Sequence, residues 1–483
     1  MALAGCGNIE VVETDGNGNG DGNGNGGGNG NGSNGNGSNG NGSNGNGNGN
    51  GAIATTTLTR DVDLIFVIDD SSRMAAHQDV LLEGVPRFLD TLGGPRGDLP
   101  DLHIGVLSTD VGADPTPDEP FVAPSCDGDG LDGRFVIGEQ DRENPAINCS
   151  GIDDDWLVDV RGEAEGERIR NYQGDLVDLL ECATRLGENG CGFEMPLEAL
   201  RRALEHDEHA DFFRDDATLG VLIVSDEDDC SIHDLTMLGG DPRQSLEETY
   251  GPLDSFRCTD FGVRCDPIGC DEFPRELRCE GTRQNCEPDD DSPYMHSPEH
   301  FADVLVAFKG GRRDDVVVST IAGLPEPFDI EHELGTDSVL RAKLQPSCSV
   351  GDRHADPAVR LEAFVEHFDD GRTASICEPD LAGPMAQFAS DLVAATHEVC
   401  LEGDLLDLDP ESVGVQPSCD VAEVALSGGA TSIPECGEDD ETPCWRAETS
   451  SRCETPSGVL LSIERGEDDP APGREIRAHC HTR

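Results

Sequence analysis

From Asp63 to Asp69 the chain reads D-L-I-F-V-I-D, an unbroken apolar run of β-forming residues that ends on an acid. A run without polar alternation predicts a strand buried on both faces, as in a parallel sheet. Residues 102–108 (LHIGVLS), 218–225 (TLGVLIVS) and much of 315–323 repeat that character. Helical periodicity falls between them, at 74–92, 174–186, 195–206, 297–309 and 381–399. The first of these stops at Gly93-Gly94-Pro95, a strong helix terminator. Strand–helix alternation of this kind predicts an α/β fold with a doubly wound, mostly parallel sheet. In such sheets ligands bind outside the carboxyl ends of the strands, near the point where strand order reverses.

The alternation fails between residues 231 and 296. There Cys258, Cys265, Cys270, Cys279 and Cys286 crowd a stretch poor in apolar runs, and Cys230 precedes it. Six cysteines predict three local bridges and a stapled insertion. After residue 400, strand-like pieces at 413–427 and 458–463 are interspersed with Gly and Pro. Cys400, Cys419, Cys436, Cys444, Cys453 and Cys480 again make six. The expected organisation is therefore a leader and tether at 1–51, an α/β domain at 52–400, and a small disulfide-held β-rich module at 401–483. Residues 15–51 are almost entirely Gly and Asn. Without apolar side chains they cannot offset the entropy of ordering, and as a flexible coil would span roughly 30–36 Å.

Nineteen cysteines with no C-x-x-C spacing imply disulfides and an oxidising compartment rather than zinc knuckles. The odd count has an explanation near the start. Leu3-Ala4-Gly5-Cys6 resembles the bacterial lipobox, in which the cysteine becomes lipid-modified after signal cleavage. Setting Cys6 aside leaves an even number. Met1-Ala2 supplies neither a basic nor an apolar leader region, so the expected translation start lies upstream. Gly7, rather than Asp, after the cysteine points to the outer membrane. The 99 acidic side chains against 33 Lys and Arg give a net charge of −66. A polyanion of this strength repels nucleic acid and anionic lipid headgroups and attracts divalent cations and basic partners. No run approaches the roughly 18 apolar residues of a membrane span. Membrane association is therefore expected only through a lipid on Cys6.

Two strand ends carry acids: Asp69-Asp70-Ser71-Ser72-Arg73-Met74 after the first run, and Asp226-Glu227-Asp228-Asp229 after the third. Neighbouring tips of a parallel sheet would bring Asp69 and Asp226 together as an oxygen-rich site for Mg²⁺ or Ca²⁺. The stretch D-L-I-F-V-I-D-D-S-S-R-M resembles the first strand and metal loop of a von Willebrand factor A (vWA) domain, a Rossmann-like fold. The similarity runs through the 218–226 strand and, more loosely, to about residue 400. N-Y-Q-G at 171–174, G-C-G-F-E at 190–194 and S-D-E-D-D-C-S at 225–231 resemble a group of cysteine-rich bacterial lipoproteins with vWA-like domains.

The resemblance implies a metal-ion-dependent adhesion site built from D-x-S-x-S, a Thr from another loop and a later Asp, with an acid on the partner completing the coordination. Asp69 and Ser71 match the first two positions and Asp226 the last. Arg73 stands in place of the second Ser, and a guanidinium has no lone pair to donate. Turned inward, Arg73 would pair with Asp69 and Asp226 and take the cation's place. Turned outward, it would leave Asp70 or Asp228 to replace the missing ligand. Cys191 falls near the position of the Thr, and its expected state is a bridge to Cys182.

Other signals are weaker. His206 and His209 are a helix-end pair, Asp127–Gly133 is similar to a calcium loop without its full ligand set, and His479-Cys480-His481 flank a cysteine needed for parity. No G-x-S-x-G, P-loop or G-x-G-x-x-G fingerprint occurs. The leading expectation is a non-enzymatic adhesion module on the cell envelope with a protein partner, basic in character. The alternatives are a divalent-metal hydrolase using Asp226, Glu227, Asp228 and Asp229, and a purely structural envelope lipoprotein.

Overall fold

The structure is a computed structural model. It describes residues 53–58, 61–94, 99–112, 126, 130–138, 149–152, 154–162, 167–239, 241, 243–396, 398–401, 403–409, 414–425, 429–437, 443–450, 453, 455–464 and 474–483. The chain divides into two units, Met1–Asn50 and Gly51–Arg483. The first, with Cys6 and most of the tether, lies outside the described residues.

Strand β1 (Ile53–Leu58) is followed by β2 (Asp61–Ile68), helices α1 (Met74–Leu82) and α2 (Val85–Gly93), and β3 (Asp101–Ser108). Next come β4 (Leu157–Arg161), β5 (Arg168–Arg170), α3 (Leu176–Ala183), α4 (Pro196–Glu205) and β6 (Thr218–Val224). The cysteine-rich segment holds α5 (Phe256–Gly262) and the short strands β7 (Val263–Arg264), β8 (Gly281–Arg283) and β9 (Glu287–Pro288). Then follow α6 (Pro298–Phe308), β10 (Val316–Ala322), the paired β11 (Phe328–Leu334) and β12 (Leu340–Leu344), and the paired β13 (Cys348–Val350) and β14 (Arg353–Ala355). Helix α7 (Val359–Val365), β15 (Arg372–Ser375) and α8 (Ala382–Ala395) complete the α/β part. The remainder is β16 (Glu398–Cys400), β17 (Cys419–Ala425), β18 (Ala430–Ile433), β19 (Cys444–Thr449), β20 (Val459–Glu464) and β21 (Arg474–His481).

The central sheet is mixed and seven-stranded, in the order β15-β10-β6-β2-β3-β4-β5. Its first five strands are parallel, while β4 and β5 join antiparallel. Alternate residues of β2 feed two cores. Leu64, Phe66 and Ile68 pack with Leu81, Phe88 and Leu392 on one face. Ile65 and Val67 pack with Leu197, Phe301 and Leu361 on the other. Each such side chain, fully buried, contributes about 1.5–3 kcal/mol, which is why this segment reads as a continuous apolar run. The helical pattern at 74–92 is divided in two at Gly84. A Cβ there would lie 2.6 Å from Met385 Sδ, so α8 packs where a side chain would otherwise stand.

Register places the future site. Ile68 is level with both Val224 and Ser108, so Asp69, Ser225 and Thr109 leave the sheet side by side. Chain order reverses beside β2, which has β3 on one side and β6 on the other.

The C-terminal β-rich part takes its first strand from the start of the described chain: β1 pairs antiparallel with β21 in a β1-β21-β17-β18 sheet. The β16-β20-β19 sheet shares its core, through Leu401, Val421, Trp445, Leu461 and Ile476.

Nine bridges pair the eighteen cysteines among the described residues. The insertion has its three local ones, Cys230–Cys258, Cys265–Cys286 and Cys270–Cys279. The C-terminal six also pair among themselves. The expected Cys182–Cys191 bridge is corrected: Cys182 joins Cys149, and Cys191 joins Cys126. Cys182 sits in the last turn of α3, whereas Gly190 N donates to Asp70 O (2.6 Å) and carries Cys191 to the strand tips. No helix of the described residues is long and apolar enough to cross a membrane.

Candidate functional site

Asp69 is fixed by its own turn. Its backbone N–H donates to Val224 O (2.9 Å), Oδ1 accepts from Ser71 N (2.7 Å), and Oδ2 accepts from Ser225 Oγ (2.7 Å). Gln78 on α1 clamps the turn by donating to Asp69 O and Gly187 O at 2.8 and 2.9 Å. Ser71 Oγ is thereby held near the Asp69 carboxylate, but it is buried and completes no hydrogen bond. Asp226 follows Ser225 at the neighbouring tip, and both of its carboxylate oxygens are buried without a hydrogen-bond partner. Asp69 and Ser71 thus stand at one strand end and Asp226 at the neighbouring one.

A fourth residue joins them. Glu194, between Cys191 and α4, accepts from Thr109 Oγ1 through Oε2 (2.7 Å), while its backbone O receives Cys230 N (2.6 Å). Its other oxygen, Oε1, is buried and unpartnered, and its carboxyl lies within hydrogen-bonding reach of Asp69. Glu194 and Thr109 are not among the residues expected from the sequence. Their signals were the last residue of G-C-G-F-E and a third parallel strand tip, Ser108-Thr109-Asp110.

Electrostatics follow from this crowding. Burial, then the charges of Asp69 and Glu227, push the Asp226 carboxyl up to about 9, against the pull of Arg73. Burial, Asp356 and Asp69 raise Glu227 to about 8. Asp69 and Glu194 are raised as well, each chiefly by burial. An unsatisfied buried polar group costs about 1–3 kcal/mol, and like charges this close cannot all ionise unaided. The cluster must hold protons or a cation. Oxygen-only donors of this kind fit a hard divalent ion.

Arg73 stands at the rim, half-exposed, at φ 93°. Its Nη2 is 3.2 Å from Glu227 Oε1 and 3.6 Å from Asp226 Oδ2. Nη1 donates to His354 Nε2 (2.7 Å), which must accept because a guanidinium only donates. The residue neither fills the pocket nor withdraws from it. Outside it opens a cleft of about 600 Å³ lined by Arg73, Glu227, Arg341, Lys343, His354 and Asp356.

The other singled-out residues have different partners. Asp70 accepts from Ser108 Oγ (2.6 Å). Asp228 accepts the N–H groups of Arg360 and Leu361 at the start of α7, at 3.0–3.1 Å. Asp229 pairs with buried Arg360 (2.9 Å). His209 is a core residue stacked on Phe135 at 4.0 Å, with Nδ1 at Ala203 O, while His206 reaches Asp132 O. Asp127–Asp129 lie outside the described residues. Cys480 is bridged to Cys419 and His479 meets Thr55.

Among the described residues, two groups place three metal-capable atoms within 4.8 Å of one another, and the strand-end acids are not one of them: Asp314 with Cys400 and Cys453, and Glu464 with Cys436 and Cys444. In each, the two sulfurs are bonded to each other. Metal binding by cysteine needs the thiolate, so these groups become ligand sets only on reduction.

No protein-family model matches the chain, and no curated protein does. Among solved structures, the human COPII-coat protein Sec24c is similar at a TM-score of 0.26 and 11% identity, over 89% of this chain and 46% of that one. The chain thus spans about half of that protein, and a likeness this loose carries no argument.

Proposed function

We propose that this protein is a vWA-like binding module, not an enzyme, that holds one divalent cation at the strand ends and presents it to a protein partner. Asp69, Ser71, Glu194 and Asp226 would hold the ion, Mg²⁺ or Ca²⁺. The observation that carries this reading is the set of buried oxygens with no hydrogen-bond partner: Ser71 Oγ, Glu194 Oε1 and both oxygens of Asp226, one of which has only the more distant Arg73 guanidinium, at 3.6 Å. Two departures from the D-x-S-x-S pattern offset each other. Arg73 removes a hydroxyl ligand, and Glu194 supplies a carboxylate close to Asp69. The bound ion would supply a positive charge at the floor of the cleft. Around it, Arg73 and Glu227 form the rim that a partner meets first.

The hydrolase alternative needs Asp228 and Asp229 for a second ion, and both are committed to α7 and Arg360. Nine disulfides fit an oxidising compartment. With the Gly/Asn tether and the lipobox-like Cys6 they support an outer-membrane lipoprotein whose acidic surface steers toward basic partners.

Calorimetric titration of Mg²⁺ and Ca²⁺ into wild type, Asp226→Asn and Glu194→Gln tests the site. One ion per chain is expected, weakened about tenfold or more in both variants; equal binding in all three would place the metal elsewhere. A parallel pull-down from envelope extract, wild type against Asp69→Ala, tests the adhesion role. Loss of a partner supports it, and an unchanged set favours the structural alternative.

A further inference from the structure

Helix α1 carries one polar side chain where its packing calls for an apolar one. Met74, His77, Gln78 and Leu81 are buried at the i, i+3, i+4, i+7 spacing of a core-facing stripe. Met74 and Leu81 join the core as that pattern requires, while Gln78, with no exposed surface, places an amide between them. A buried amide is costly unless its polar atoms are paired. Here the pairing ties two segments together. Nε2 donates to Asp69 O (2.8 Å) and to Gly187 O (2.9 Å), and Oε1 accepts from Gly187 N (3.0 Å). Two carbonyls and one N–H as partners fix which end of the amide faces which.

Asp69 opens the turn that holds Ser71, and Gly187 opens the loop that runs to Glu194. The two segments also touch directly, where Gly190 N donates to Asp70 O (2.6 Å). A Cβ at Gly190 would stand 2.2 Å from Asp70 Oδ1, so the loop lies as close to the turn as a glycine permits. Farther along, the loop is fastened to other elements: Cys191 by its bridge to Cys126, and Glu194 by Thr109 Oγ1 and Cys230 N. Gln78 thus bonds to both halves of the strand-end cluster from a third element.

We propose that Gln78 is a positioning residue of the strand-end site: it locks the loop bearing Glu194 against the turn bearing Asp69 and Ser71. The proposal rests on reading those oxygens as a cation site. Gln78 does not touch the ion and acts through Glu194. Like charges drift apart unless a frame holds them. Without the clamp the ion would have to gather the carboxylates itself, and that ordering would be subtracted from its affinity.

Calorimetric titration of Mg²⁺ into the disulfide-intact full chain tests this, wild type against Gln78→Met, which removes all three bonds and stays close in size. Affinity is expected to fall about 10–100-fold, the scale of an outer-shell partner of a metal ligand. In a double-mutant cycle with Glu194→Gln the two losses are expected to be less than additive. Unchanged affinity in Gln78→Met, or strictly additive losses, overturns the proposal. A second readout needs no metal. In chelator, hydrogen exchange at Gly190 N–H, which does not touch Gln78, is expected to speed up in Gln78→Met while β2 and β6 stay protected. A Gly190 amide as protected as in wild type overturns the proposal. Failure of wild type to bind Mg²⁺ would sink the cation reading, and Gly190 exchange would still decide whether Gln78 holds the loop. Should Gln78→Met fail to fold, Gln78→Asn, an amide one methylene too short to reach both partners, carries the same expectations.

Discussion

Asp226 is the side chain on which the reading of the strand ends turns. It is fully buried, neither oxygen has a hydrogen-bond partner, and its carboxyl is raised to about 9. An acid whose folded pKa exceeds its unfolded value near 4 binds more protons when folded. Its stabilising contribution is complete below pH 4 and is lost as pH rises through about 9. In chelator, the melting temperature should therefore fall between pH 6 and pH 9, and Asp226→Asn should flatten that fall. A wild-type profile as flat as the variant's would show that Asp226 is not the group responsible. Arg73→Ser exchanges a cation at the rim for a hydroxyl ligand. It should raise Mg²⁺ affinity about tenfold or more by removing one positive charge next to the ion, as calorimetry would read; unchanged or weaker affinity would mean Arg73 does not compete. Asp69 and Asp226 were legible in the sequence because a buried apolar run that ends on an acid announces a strand tip. Glu194 was not, because its place depends on Thr109 and Cys230, which only the fold brings beside it.

At the scale of elements, Asp226-Glu227-Asp228-Asp229 reads in sequence as one acidic cluster, yet the chain distributes it among three structures. Asp226 and Glu227 face the strand-end site, Asp228 caps α7 from a distance, and Asp229 neutralises Arg360. Four consecutive acids in an irregular turn point in different directions, which composition alone does not reveal. Asp228→Ala should cost about 1–2 kcal/mol, the scale of a lost N-terminal cap. Arg360→Met leaves Asp229 buried without its cation and should cost about 3–5 kcal/mol. Urea unfolding measures both, and equal costs would contradict the different roles assigned to the two acids. The parallel strands were legible from their unbroken apolar runs. The break at Gly84 has a local signal, Gly84 followed by Pro86 in the first turn of α2, which the single 74–92 pattern runs over. The pairing of β1 with β21 was hidden because an edge partner is chosen by tertiary closure, not by local pattern.

The whole molecule carries −66 on a frame fastened by nine disulfides and, at the C-terminal β-rich part, by β1. Repulsion among exposed carboxylates is screened over about 10 Å at 0.1 M salt and about 3 Å at 1 M. Melting temperature should rise with NaCl over that range, and a fall would mean that surface ion pairs outweigh the net repulsion. Cysteine parity made the oxidised frame legible, but spacing did not identify the partner of Cys191, which is Cys126, 65 residues away in sequence. Among the described residues most acids reach solvent, and the functional claim rests on the few buried oxygens at the carboxyl ends of the central strands β2 and β6. The most direct test is a crystal structure grown with Mn²⁺, whose anomalous scattering locates the ion. The account predicts a peak among Asp69, Ser71, Glu194 and Asp226. Saturating Mn²⁺ with no peak there, and the carboxyls still facing one another, would contradict it.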